Sequence, residues 1–138
     1  DIRSTRMLMA HGFLAKIFEI FDRFETAVDM VTTSEVEVSL TIDRTERLAE
    51  ITKELEGFSD VTHNSQQAIV CLVGDNLRHT PGVSGKIFSA IGGVNIRMIS
   101  QGASRLNVSF VINESDLLPV ISSLHDVFFA NVDGEVFA

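Results

Sequence analysis

Gly12, Asp29, Thr33 and Ser34 have the types and spacing to hold a small zwitterion. Gly12 opens an amphipathic stretch, Phe13-Leu-Ala-Lys-Ile-Phe18. A helix starting there presents unpaired backbone N–H groups and the positive end of its dipole, which favour an anion. Asp29, beyond that helix, supplies a carboxylate for an ammonium, and Thr33 or Ser34 offers a hydroxyl to a ligand side chain. A free amino acid carries both charges a few ångströms apart. On this reading the N–H groups of Gly12, Phe13 and Leu14 hold its carboxylate, with glycine required because a Cβ would crowd the approach. Phe13 and Leu14 either seal the pocket or belong to the core.

Other chemistries find no support. His11, His63, His79 and His125 are scattered, with no pair at metal-ligand spacing, so no metal site is expected. Asp75 and Asp126 have no partner for acid–base work, and nothing places a Ser/His/Asp triad. There is no Gly-x-x-x-x-Gly-Lys-Ser/Thr loop to cradle phosphates, so no catalytic residue and no cofactor is assigned to this chain. The formal net charge of -8 argues against nucleic acid and anionic membranes, which call for clustered Lys and Arg. No apolar run is long enough to span a bilayer. Cys71, within Ile69-Val-Cys-Leu-Val73, is the single cysteine and reads as a small buried hydrophobe in a reducing, cytoplasmic setting. The chain starts at Asp1, in what looks like the end of a strand, and reads as a fragment of something longer.

The elements that would position the site follow from periodicity. Leu14, Ile17, Phe18, Phe21 and Phe24 make one helical stripe, and Leu48, Ile51, Leu55 and Phe58 a second. Asp43 and Glu46 have the spacing of a capping box for the second helix. Val28–Thr33 is rich in β-branched residues, Val36–Asp43 alternates as a half-exposed strand, and Val61–Ser65 can close the sheet. Strand, helix, strand, strand, helix, strand is the split βαβ order of a ferredoxin-like sandwich. The pattern then recurs after about 70 residues. Ile69–Val73 reads as a central strand with both faces covered, Pro81 as the first residue of a helix whose inner stripe is Val83, Ile87, Ala90 and Ile91, and Asn113 as the cap of another with Leu117, Val120, Ile121 and Leu124 inside. Gly12-Phe-Leu-Ala-Lys-Ile-Phe stands against Gly82-Val-Ser-Gly-Lys-Ile-Phe, Val28-Asp-Met-Val against Ile96-Arg-Met-Ile, and Val38-Ser-Leu-Thr-Ile-Asp against Val108-Ser-Phe-Val-Ile-Asn. Arg97 therefore stands where the first unit has Asp29, and would repel an ammonium by on the order of several kcal/mol in a dry site. Binding is expected in the first unit only.

Gly12-Phe-Leu-Ala-Lys-Ile-Phe, the run Val28-Asp-Met-Val-Thr-Thr-Ser-Glu-Val-Glu-Val-Ser-Leu-Thr-Ile-Asp43 and Asn95-Ile-Arg-Met-Ile-Ser-Gln-Gly-Ala-Ser104 resemble the ACT domain family, specifically the regulatory tail of aspartate kinases and most of all their monofunctional, lysine-inhibited type. The resemblance covers nearly the whole chain. It implies an α+β fold of two tandem ferredoxin-like βαββαβ ACT domains, an effector-binding one at 1–65 and a structural, dimerising one at 66–138. Each has an antiparallel sheet with helices on one face, and one is completed by a strand from upstream. It also implies a kinase domain in cis that phosphorylates aspartate with ATP and magnesium, and feedback inhibition by an end-product amino acid, lysine, bound between first units of two subunits of a homodimer or larger homo-oligomer. The implied contacts are Met7, Gly12, Phe13, Leu14, Val28, Asp29, Thr33 and Ser34. Ala10 and Ala27 stand where the lysine-inhibited pattern has serine. A constitutive ACT dimerisation module without ligand, and a site for threonine, are the rival readings. A small ferredoxin-like enzyme is a third, and no catalytic cluster supports it.

Overall fold

The computed structural model describes residues 1–4, 12–34, 36–74, 81–102 and 107–129. They form two compact units, the first ending at His63 and the second beginning at Asn64. The first unit runs β1 (Ile2–Ser4), α1 (Phe13–Arg23), β2 (Val28–Thr33), β3 (Glu37–Ile42), α2 (Leu48–Leu55), β4 (Ser59–Val61). Its antiparallel pairings give the sheet order β2-β3-β1-β4, with β2 at an edge. Ile2, Phe13, Ile17, Ile20, Phe21, Val38, Ile51 and Leu55 make its core.

The phase of α1 differs from the sequence expectation. Phe13, Ile17, Ile20 and Phe21 are buried, whereas Leu14 and Phe18 are each 38% exposed. Apolar residues at 13, 14, 17, 18, 20, 21 and 24 cover an arc of about 160° at 3.6 residues per turn, so period alone admits two neighbouring stripes. The contact of Phe13 with Phe58 selects one: their rings meet edge to face with centroids 5.8 Å apart. Phe58 itself lies beyond α2, next to β4. The helix ends in a Schellman motif, Thr26 N–H donating to Phe21 O and Glu25 N–H to Asp22 O, both at 2.9 Å.

The expected capping box at Asp43 and Glu46 is not formed. The α2 helix starts at Leu48 after a turn in which Leu48 N–H donates to Thr45 O at 3.1 Å, and no side chain caps it. Arg47 and Glu50 pair across its first turn instead, with two hydrogen bonds of 2.9 Å. The hydrogen bond from Arg47 outweighs the opposing desolvation and, with the lesser help of the Arg47 charge, holds the Glu50 carboxyl below its ordinary range. The sign follows: this contribution is present above the ordinary carboxylate pKa and is lost as pH falls through the lowered one. Ser59, buried at the start of β4, donates to the Leu55 carbonyl at 2.6 Å and so closes the C-terminal turn of α2.

The second unit runs β5 (Gln67–Val73), α3 (Val83–Ala90), β6 (Ile96–Ser100), β7 (Asn107–Asn113), a 3-10 turn at Glu114–Asp116 and α4 (Leu117–Phe129). The described strands are ordered β5-β7-β6, which matches β1-β3-β2 of the first unit. A place beside β5 corresponds to that of β4; the tail 130–138 lies outside the described residues. Val70, Leu72, Val83, Ile87, Ile91, Val108, Phe110, Ile112, Val120, Leu124 and Phe128 form the core.

Five expectations for this unit are corrected. Among the described strands β5 is an edge, and only one of its faces is covered: Val70 and Leu72 point into the core, whereas Ile69, Cys71 and Val73 are exposed. Strand alternation puts those three on the face away from the helices, so Cys71 is not a buried hydrophobe. Its sulfur accepts a hydrogen bond from Ser109 Oγ at 3.3 Å. Pro81 precedes the helix rather than opening it, because Gly82 takes the cap position. Ile121 is 48% exposed, since α4 buries only the stripe Val120, Leu124 and Phe128. Asn113 precedes the 3-10 turn but makes no capping bond; its Oδ1 accepts from Gln67 Nε2 at 3.0 Å.

Candidate functional site

Gly12 and Gly82 occupy the same place in the two units and adopt the same conformation, φ +83° and +81°. Their carbonyls accept the first helical hydrogen bonds, from Lys16 and Lys86 N–H, each at 3.0 Å. A Cβ built at either would meet nothing within 4 Å, so within the chain it is the left-handed backbone, not lack of space, that demands glycine. Gly12→Ala should therefore lower stability by about 1–2 kcal/mol, the left-handed penalty of an L-residue, as a shift in urea midpoint at constant slope. Among the described residues no side chain caps α1 and its first turn holds no acid, so nothing described there competes with an anion for the N–H groups of Phe13 and Leu14. Phe13 itself is core; Leu14 is on the surface.

Strand direction then decides which expected site residues meet. The β1 and β2 strands both run antiparallel to β3, and are therefore parallel to each other, while α1 returns between them. Ser4 N–H donates to Val36 O at 2.8 Å and Ser4 pairs with Ser59, beside Phe58, which touches Phe13. The N-terminus of α1 thus lies at the end of the sheet where β1 and β2 finish, with Thr33 and Ser34. Val28 and Asp29 lie at the other end, where α1 finishes. From Asp29 to Thr33 is about 13 Å at the rise of an extended strand. Within one chain the structure groups Gly12, Phe13 and Leu14 with Thr33 and Ser34, and does not bring Asp29 to them. Met7 lies outside the described residues.

Thr33 is exposed, and Ser34 shapes the β2–β3 turn: its N–H donates to Glu37 O at 2.8 Å and its hydroxyl to the same oxygen at 3.4 Å. The second unit shows how close the helix start and strand end are. There Ser84 and Gln101, which match Leu14 and Thr33, are joined by a 2.6 Å hydrogen bond from Ser84 Oγ to Gln101 Oε1. The corresponding space in the first unit is flanked by an apolar chain and a short hydroxyl.

Asp29 is placed by a β-bulge. Val28 pairs with Ile42 and Met30 with Thr41, so Asp29 is the additional residue; it is exposed. Bulges re-aim side chains and recur beside functional sites. The second unit repeats the irregularity, Ile96 with Ile112 and then Met98 with Val111, and its additional residue is Arg97. The bulge in β2 is tied by Met30 N–H, which donates to Thr41 Oγ1 at 3.0 Å. Thr41 was not among the expected site residues. Its signal lay in the alignment of the repeats, where Thr41 stands against Val111.

Among the described residues no three His, Cys, Asp or Glu side chains are grouped so as to hold a metal ion. None of the described helices is long and apolar enough to cross a membrane. His125 stacks on Phe129, ring centroids 4.7 Å apart.

Comparison with known proteins turns this geometry into a family. The ACT domain family profile matches residues 70–128, and the first unit repeats the same element order. Aspartokinase 1, chloroplastic, of Arabidopsis thaliana is 40% identical over 144 residues, covering 96% of this chain and 25% of the relative. The chain thus spans about a quarter of the length of such curated relatives. Among solved structures, a C-terminal regulatory domain of aspartate kinase from Porphyromonas gingivalis W83 superposes with TM-score 0.83 at 38% identity, covering 93% of this chain and 88% of that one. Escherichia coli aspartokinase III, in complex with lysine and aspartate in its T-state, superposes with TM-score 0.80 at 37% identity, over 93% of this chain and 30% of that one. The chain belongs to the family of ACT-domain regulatory regions of aspartate kinases.

Proposed function

We propose that this chain is the feedback-regulatory region of an aspartate kinase and that its first unit binds an end-product amino acid, lysine, between two copies of the chain. The observation that carries the reading is Asp29 on a bulge of the edge strand β2, with arginine in the matching bulge of the second unit. One copy holds its helix tip and its acid at opposite ends of the sheet, so a single amino acid needs two copies to meet both. The β2 strand has only β3 as a neighbour among the described strands. Two β2 edges paired antiparallel bring Asp29 of each copy level with Thr33 and Ser34 of the other, beside the N-terminus of the other α1 helix. There the N–H groups of Phe13 and Leu14 take the carboxylate and Asp29 takes the α-ammonium. Leu14, Phe18 and Val31, exposed by 38–42%, supply apolar surface along this edge. Val31 lies on the helix side because it pairs with Leu40 of the core.

In the whole protein, the residues outside this chain would bind ATP and magnesium and phosphorylate aspartate; the names of the relatives support that activity. The lysine in the E. coli neighbour supports the choice of effector. Lysine would inhibit by favouring one dimer arrangement, and moving the kinase from mostly active to mostly inactive requires a preference of about 3–5 kcal/mol.

Calorimetric titration with lysine, threonine and methionine, with sedimentation equilibrium alongside, tests the reading. Lysine should give saturable heat and deepen dimerisation. Heat from threonine alone would change the effector, and silence with all three at millimolar ligand would leave a constitutive dimerisation module.

A further inference from the structure

We propose that Thr41 is a positioning residue of the effector site: by holding the Met30 N–H it fixes the direction in which Asp29 presents its carboxylate to the ligand. The inference rests on reading the first unit as an amino-acid site. A bulge sets one residue outside the ladder, and the neighbouring N–H needs another acceptor. In β2 that N–H belongs to Met30, directly after Asp29, and its acceptor is the Thr41 hydroxyl at 3.0 Å in a partly buried position. The peptide between Asp29 and Met30 is thereby anchored by a side chain rather than by a strand carbonyl. An anchored peptide fixes the Cα–Cβ direction of Asp29, and a carboxylate that must meet an ammonium across a subunit boundary depends on that direction.

The second unit separates positioning from folding. It forms the same bulge around Arg97 although the residue opposite, Val111, has no hydroxyl. The hydroxyl is therefore not needed to make the bulge. What distinguishes the two units is an acid at the bulge together with an anchor in the first, and neither in the second. Valine at position 41 is also the residue that the repeat itself accepts in that place of the sheet, so a substitution to valine is compatible with the fold.

Two variants of the chain test this, Thr41→Val and Thr41→Ser, each titrated with L-lysine in the calorimeter and followed by circular dichroism. Thr41→Val should fold like the parent yet bind lysine roughly 10- to 100-fold more weakly, the scale of a misplaced contact group. Thr41→Ser, which restores the acceptor, should bind within about threefold of the parent, a factor worth under 1 kcal/mol. Parental affinity in Thr41→Val overturns the proposal, and so does a serine variant as weak as the valine one, since the hydroxyl would then not be the cause. If the parent chain binds lysine and Thr41→Val binds equally well, only the positioning role falls; if the parent binds no amino acid, the site reading falls and takes this role with it.

Discussion

An Asp29→Arg chain should fold as the parent does and lose lysine almost entirely. The substitution writes into the first unit what the second already carries at the matching bulge, Arg97, so the backbone accepts it. Asp29 is exposed, and exposed substitutions of this kind move stability by no more than about 0.5 kcal/mol. The effect on binding is far larger. An ion pair with the α-ammonium is replaced by a like-charge contact, and disrupting a hydrogen-bonded charge pair across an interface costs about 2–5 kcal/mol, from about 30-fold to more than a thousandfold in affinity. Calorimetry reads the loss directly, and an Asp29→Arg chain with parental affinity would remove Asp29 from the site. The reciprocal change, Arg97→Asp, should not create a second site. Ser84 and Gln101 are joined at the positions that match Leu14 and Thr33, and Val111 has no hydroxyl to anchor the bulge.

The second large effect is on stability. Phe110 lies on β7 between β5 and β6, is fully buried, and meets Phe88 with ring centroids 5.7 Å apart at 66°. Phe110→Ala removes an entire ring from a packed core, and such truncations cost about 3–5 kcal/mol through lost transfer energy and residual cavity. Against the 5–15 kcal/mol that ordinarily separates folded from unfolded chains, that is a large fraction. Because the chain comprises two compact units, urea unfolding need not be a single step. Phe110→Ala should move the transition of the second unit to lower urea and leave that of the first in place. An unchanged midpoint would mean that the cavity collapses without penalty.

The repeat was legible in the sequence because both units use the same apolar spacing, and the strands Val28–Thr33 and Glu37–Ile42 fell where β-branched residues and alternation placed them. What escaped was whatever depends on a partner. The α1 helix is apolar over too wide an arc for periodicity to choose between Phe13 and Leu14, and Phe58 makes the choice. The apolar run at Ile69–Val73 reads the same whether one face is covered or two, and only the position of the helices leaves Cys71 outside. At the candidate site the grouping of the residues was not legible. Asp29 and Gly12 read as neighbours until the direction of β2 puts them at opposite ends of the sheet. A bulge is invisible to any periodic reading, since it exists only in the pairing with the opposite strand; Thr41 was therefore seen only as an outward residue of an alternating strand.

The outward position of Cys71 has a practical side. The chain contains neither tryptophan nor tyrosine and is nearly silent in ultraviolet fluorescence, yet it carries a single thiol, exposed on β5. Exposure is what a thiol-directed dye requires, and with one cysteine the label goes to one known position. A fluorophore attached there would give an optical signal from the half of the duplicated fold that carries no acid at its bulge, while the half that does remains chemically untouched.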